Sequence, residues 1–268
     1  MKNLHLSTKH VAAVAVALLS YPGNAMAQHS VDDLSKAAAN PLAPVISVPI
    51  TQDFDFGGGR DGKGFSYLAE AEPVIPLQLN DQWNLITRII APFAYNDRIP
   101  GHPTGLGDIT TSFFLSPTTR GPGGLIWGVG PAFLLPTATN SRLCGGKWGA
   151  GPTAVALLQE NAWTVGALAS HIWSFAGQEL RGNVSVSQLE PFVSYNFGGD
   201  RSLSLTVEST YDWRASQWTI PVNLVASQVF KIGPQAMSLG IGGRYYAKAP
   251  EGGPKWGLRT SLTLFFPE

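Results

Sequence analysis

The stretch LSLTVESTYDW, from Leu203 to Trp213, decides the fold. Leu203, Leu205, Val207, Tyr211 and Trp213 fall on one side of an extended strand, and Ser204, Thr206, Glu208, Thr210 and Asp212 fall on the other. Successive side chains of a strand point to opposite faces, so the segment has one apolar face and one wet face. Similar segments recur to the C-terminus between clusters of Gly, Pro, Asn and Asp. That pattern is expected of a transmembrane β-barrel with lipid outside and polar groups within.

Working outward from this strand, twelve are predicted, at 45–56, 65–78, 82–95, 107–116, 124–136, 147–159, 162–176, 185–197, 202–213, 217–231, 236–247 and 256–266. An even count returns both chain ends to one side. The connections Asn80-Asp81, Glu160-Asn161, Gly198-Gly199-Asp200 and Gly233-Pro234 read as tight turns. Gly57 to Gly64, Asn96 to Leu106, Thr137 to Gly146, Gly177 to Val184 and Lys248 to Lys255 read as longer outer loops. Arg214 to Ser216 is short for an outer connection, and Pro117 to Gly123 is long for an inner one. The expected fold class is all-β, an antiparallel up-and-down transmembrane barrel of about twelve strands with a short N-terminal helix.

That helix is placed over Val31 to Asn40, capped by Ser30 with Asp33 in its first turn and Pro41 beyond its end. Before it, Lys2 and Lys9 precede the apolar run Val11 to Leu19, and Ala25-Met26-Ala27 supplies small residues ahead of Gln28. This is the layout of a cleaved secretory signal peptide, and the run is too short for the roughly 20 residues of a spanning helix. The expected divisions are a signal peptide at 1–27, a periplasmic or plug segment at 28–44 and a barrel at 45–268. Val31, Leu34 and Ala38 give the helix an apolar side, hence the plug reading.

Charge is balanced at 18 basic and 18 acidic residues, without the basic patch that nucleic acid requires. A mean hydropathy of +0.05 suits a barrel, which needs apolar residues only at alternate positions. Cys144 is the single cysteine, so no intramolecular disulfide can form; it reads as a chance loop thiol.

All eight Trp fall near strand ends on the apolar phase. Trp83, Trp127 and Trp163 would form one interfacial girdle with Phe197, Phe230 and Phe266. Trp148, Trp173, Trp213, Trp218 and Trp256 would form the other with Tyr67, Tyr95 and Tyr245. The opposite phase places Glu70, Glu72, Arg88, Asp108, Glu190, Glu208, Asp212, Lys231, Arg244 and Arg259 inside the barrel. These are the candidate channel-lining residues. Two readings stay open: a pathway whose charges select solutes, or an interior in which the charges neutralise one another. Gly128, Gly130, Gly149 and Gly151 also fall on the inner phase, where strand bending explains them better than open space for a solute.

Several stretches resemble the MetA-pathway of phenol degradation family of outer-membrane transporters, whose members are sometimes misnamed neuromedin U. They are Asp32 to Ile50 (DDLSKAAANPLAPVISVPI), Pro73 to Ala94 (PVIPLQLNDQWNLITRIIAPFA), Gly105 to Pro117 (GLGDITTSFFLSP), Leu125 to Thr139 (LIWGVGPAFLLPTAT), Gly145 to Leu157 (GGKWGAGPTAVAL) and Gly252 to Arg259 (GGPKWGLR). The resemblance implies a bacterial outer-membrane barrel that passes small solutes, aromatic or hydrophobic ones among them. Leu258 to Phe266 resembles the terminal strand read by the barrel-assembly machinery, with Pro267 and Glu268 added after the aromatic. The partners expected are therefore the bilayer, that machinery and a small solute.

The rivals are a structural barrel, an outer-membrane lipid hydrolase and, at the level of fold, a soluble sandwich. After cleavage only His29, His102 and His171 remain. His171 shares its predicted face with Ala169 and Trp173 rather than with a serine, and beside a Trp near the outer interface it reads as an interfacial polar residue rather than a catalytic base. His102 and Asp97 are too few for a metal site. The reading is non-enzymatic, with no catalytic residue, cofactor or metal.

Overall fold

A computed structural model of the chain describes residues 30–97, 102–143 and 145–266. The segment 1–27 expected to be a signal peptide, His29, Cys144 and the terminal Pro267 and Glu268 lie outside the described residues. The rest forms one antiparallel sheet closed on itself.

The fifteen strand segments are β1 (Ile46–Gly58), β2 (Gly64–Ala71), β3 (Val74–Gln78), β4 (Trp83–Asn96), β5 (Thr104–Leu106), β6 (Ile109–Pro117), β7 (Ile126–Leu135), β8 (Lys147–Glu160), β9 (Trp163–Gly177), β10 (Ser185–Asn196), β11 (Arg201–Val207), β12 (Ser209–Asp212), β13 (Gln217–Ile232), β14 (Gln235–Lys248) and β15 (Trp256–Phe266). Three of them continue the strand before, and each break has a proline beside it. Glu72 N–H bonds to the carbonyl of Pro49, Gly107 N–H to that of Pro92, and Glu208 N–H to that of Pro221. A proline cannot return the bond, so the ladder is interrupted there while the chain runs on. The barrel therefore has twelve strands, within three residues of the predicted positions. Closure comes from β1 against β15, from Ile46 opposite Phe266 to Phe56 opposite Trp256. A sandwich is excluded because the sheet has no second layer.

Short turns and long loops segregate to opposite ends, except for the long connection 118–125 at the short-turn end and the short connection 213–216 at the other. The turns after Gln78, Glu160, Asn196 and Ile232 lie at the end that holds both Ile46 and Phe266. The outward face is apolar, with Leu203 and Leu205, Leu239 and Ile241, and Trp256 and Leu258 exposed in alternation. Trp163 and Trp173 mark the two ends of β9 on that face. Ten residues at about 3.3 Å each, tilted by about 40°, span roughly 25 Å, the height of a bilayer-facing apolar band.

The helix, α1, runs from Val31 to Ala38, ending two residues earlier than predicted. Ser30 accepts from Asp33 N–H and the Asp33 carboxylate takes Ser30 N–H, a capping box. At the other end the Asn40 side chain accepts from Leu42 N–H, turning the backbone out of the helix ahead of Pro41. The helix lies against the inner wall at the short-turn end. Leu34, 4% exposed, packs with Val45, Val229, Ala236 and Phe265, while Leu42 packs with Val74, Ile86, Phe114, Val155, Leu157 and Leu168. Residues 31–45 thus reach from the β13–β15 wall to the β4–β9 wall.

Candidate functional site

Above that segment the barrel encloses a cavity of about 460 Å³. Seven of the ten sequence-predicted lining residues meet there: Glu70, Glu72, Arg88, Glu190, Glu208, Arg244 and Arg259. They arrive from β2, the β2–β3 break, β4, β10, the β11–β12 break, β14 and β15, because each occupies the inward phase of its strand. Val74, Ile90, Leu168 and Phe192 line the same space, and hydroxyls such as Thr51, Thr206, Ser227 and Ser261 complete its wall.

All three arginines are paired. Arg259 donates Nε to Asp53 Oδ1 at 2.6 Å and Nη2 to Asp53 Oδ2 at 2.7 Å, a bidentate grip, and it also ion-pairs with Glu208 through Nη1. Arg244 donates Nη1 to Asp53 Oδ2 at 2.7 Å, to Glu208 Oε2 at 3.1 Å and to Asn223 Oδ1 at 3.2 Å. Its Nε lies 3.5 Å from Asp55, and Tyr246 donates to the other Asp55 oxygen at 2.8 Å. Arg88 binds Glu72 at 2.5 Å. Asp53 is 1% exposed, so this network is desolvated and each guanidinium has its carboxylate beside it.

The carboxylates outnumber their partners. Six of them, Asp53, Asp55, Glu70, Glu72, Glu190 and Glu208, share the interior with three guanidinium groups, and neither Glu70 nor Glu190 is hydrogen-bonded or ion-paired among the described residues. The pairings on either side of the β11–β12 break set Glu208 across from Glu190. Carboxylates that ionise in such a cavity attract cations and repel anions.

Three predicted residues are placed elsewhere. Asp108 accepts from Ala138 N–H at 3.1 Å and Gly145 N–H at 2.8 Å, stapling the long loop after β7. Asp212 accepts from Arg214 and Ala215 N–H and so caps its own short loop. Lys231 sits exposed at the short-turn end of β13. Inward phase along a strand says nothing about height in the barrel, which separates these three from the seven. Asp53 and Asp55 were missed although the signal was present, as QDFDF over 52–56 sets two carboxylates on one face between phenylalanines.

The inner glycines mark close approach rather than open space. A Cβ at Gly128 would meet Leu42, and at Gly130 and Gly151 it would strike the carbonyl oxygens of Phe113 and His171 on the neighbouring strands. His102 Nδ1 lies 3.2 Å from Asp97, and no cluster of three or more metal-ligating side chains occurs among the described residues.

On the outward face His171 has partners that its own strand does not show. Ser187 of β10 lies opposite it, with Oγ 2.7 Å from Nδ1, and Ser185 Oγ is 3.4 Å from Nε2. The expectation that no serine shares its face fails across the strand pair.

The architecture defines the class, a closed twelve-stranded antiparallel barrel of the outer-membrane type with one short α-helix among the described residues. No family model and no curated protein matches the chain. Among solved structures it is similar to the COG4313 outer membrane channel from Pseudomonas putida F1, with 15% identity over 92% of this chain and 99% of that one and a TM-score of 0.64. It is also similar to the NanC porin, with 11% identity over 83% of this chain and 100% of that one and a TM-score of 0.50. At these identities the likeness is one of fold, and the resemblance to the MetA-pathway family gains no family match.

Proposed function

We propose that the chain is an exported outer-membrane channel that conducts small solutes through its lumen, prefers cations and is closed from the short-turn side by residues 31–45. The carrying observation is the cavity in which, among the described residues, every arginine is paired while Glu70 and Glu190 are not. The apolar outward band of roughly 25 Å supports placement in a bilayer. Export would follow removal of residues 1–27, and the final strand would be the signal for the assembly machinery. A barrel fold shared with an outer membrane channel and a porin supports the same reading.

The solute class follows from the lining. Val74, Ile90, Leu168 and Phe192 offer an apolar side that suits the small aromatic molecules implied by the family resemblance, and the excess carboxylates add the preference for positive charge. The test is the reversal potential of the refolded barrel in a potassium chloride gradient, beside a Glu70→Gln/Glu190→Gln variant. Cation selectivity that falls in the variant supports the reading; anion selectivity, or selectivity indifferent to both glutamates, overturns it.

A further inference from the structure

The outward face carries a second constellation that the channel does not use. Polar and ionisable groups on the bilayer-facing side of a barrel are costly, and such a residue is by default a functional candidate. His171, Ser185 and Ser187 lie on that side, Ser185 level with the row formed by Trp173 and Trp213, and His171 and Ser187 one pleat inside it. At about 3.3 Å per residue and a tilt of about 40°, His171 is roughly 5 Å below that row. Aromatic girdles mark the headgroup level, so this is the depth at which lipid acyl esters begin.

The hydrogen bonds have a direction. Trp213 Nε1 can only donate, and it lies 2.8 Å from Ser187 Oγ. With that lone pair occupied, the Ser187 hydroxyl is free to give its proton to His171 Nδ1, 2.7 Å away. The imidazole then carries its own proton on Nε2, facing Ser185 Oγ at 3.4 Å. The Trp173 ring, with its centroid 4.0 Å from that of His171, holds the imidazole from the other side. A nucleophile aimed at a base whose second nitrogen meets a third group is the arrangement that activates serine, whatever the fold that carries it.

We infer that Ser187 and His171 form an acyl-ester hydrolase site facing the membrane, with carboxylic esters of membrane lipids as substrate. Ser187 Oγ attacks the ester carbonyl while its proton passes to His171 Nδ1. The C–O bond to the lipid alcohol then breaks, and that alkoxide takes the proton from His171, leaving an acyl-serine. Water, deprotonated by the same nitrogen, attacks the acyl-serine and releases the fatty acid and the free serine. Trp213 Nε1–H lies where it can donate to the oxyanion beside Ser187, and Ser185 is a positioning residue acting through His171. The site rests on the bilayer placement of the barrel and is independent of conduction.

The test uses the refolded mature barrel in vesicles of phosphatidylethanolamine and phosphatidylglycerol, with lipid A vesicles as a second arm, measuring fatty-acid release and labelling by a fluorophosphonate. Release and labelling that fall at least about 100-fold in Ser187→Ala and in His171→Gln, and about tenfold or more in Trp213→Phe, establish the site, and the arm that shows release identifies the lipid. Heat-resistant migration on gels confirms that each variant is folded. A folded wild-type barrel that neither labels nor releases fatty acid from either lipid, or activity that survives Ser187→Ala, overturns the inference. Conductance is read on the same samples, so loss of one function is separable from loss of the other.

Discussion

Gln159 on the barrel wall donates its side-chain amide to the backbone carbonyl of Lys36 at 2.8 Å, joining α1 to a strand 123 positions further along the chain. Asn196 repeats the tie from β10 to Asp32 at 3.3 Å, and Leu34 and Leu42 seat the segment on facing walls. A helix of eight residues has little stability of its own in water, so these contacts hold it in the mouth.

Charging one of the seats should therefore open the lumen. Leu42→Asp places a carboxylate among Ile86, Phe114, Val155, Leu157 and Leu168 without a partner, which favours expulsion of the segment over burial of the charge. The expected outcome is a severalfold rise in single-channel conductance with the barrel still folded, whereas unchanged conductance would show that the segment does not obstruct flow.

The capping box offers a milder perturbation. Ser30→Ala removes the acceptor for Asp33 N–H and should cost about 1 kcal/mol of helix stability, raising open probability a fewfold at constant step size. Recordings in which step size changes instead would place Ser30 in the pathway rather than in the helix cap.

Asp53 should matter to stability more than any other acid in the lumen. Asp53→Ala leaves Arg259 and Arg244 without their shared, almost fully buried carboxylate, a loss of about 3–5 kcal/mol. Urea unfolding of the refolded barrel, followed by tryptophan fluorescence, should show it, while Glu70→Gln, at a residue with no ion pair to lose among the described residues, should shift the midpoint little. Equal effects would contradict the assigned pairing.

A methyl group at Gly151 would run into the carbonyl of His171, so Gly151→Ala should destabilise by about 1–3 kcal/mol. Gly182→Ala, in open space, is the matched control in the same unfolding assay. Parity between the two would mean that the β8–β9 approach is looser than the geometry requires.

Much of this was legible in the sequence, for a physical reason. A strand has a period of two, so one phase assignment places Leu203, Trp213 and Glu208 correctly without knowledge of their neighbours. Proline and glycine placed the strand ends, and tryptophan placed the outward face. Height and cross-strand partners were not legible, because they depend on register: Asp108, Asp212 and Lys231 share the phase of Glu190 but not its level, and Ser187 meets His171 only through the β9–β10 pairing. The bidentate hold of Arg259 on Asp53 likewise joins residues 206 positions apart, a distance at which no local pattern speaks.

The most direct test of the central claim is single-channel recording of the mature barrel in a potassium chloride gradient, with and without residues 30–43. A lumen closed by the segment and walled by Glu70 and Glu190, unpaired among the described residues, should give small, cation-selective steps that grow on deletion while keeping their cation-selective reversal potential. A folded barrel that stays silent after the deletion, or opens without cation preference, would contradict it.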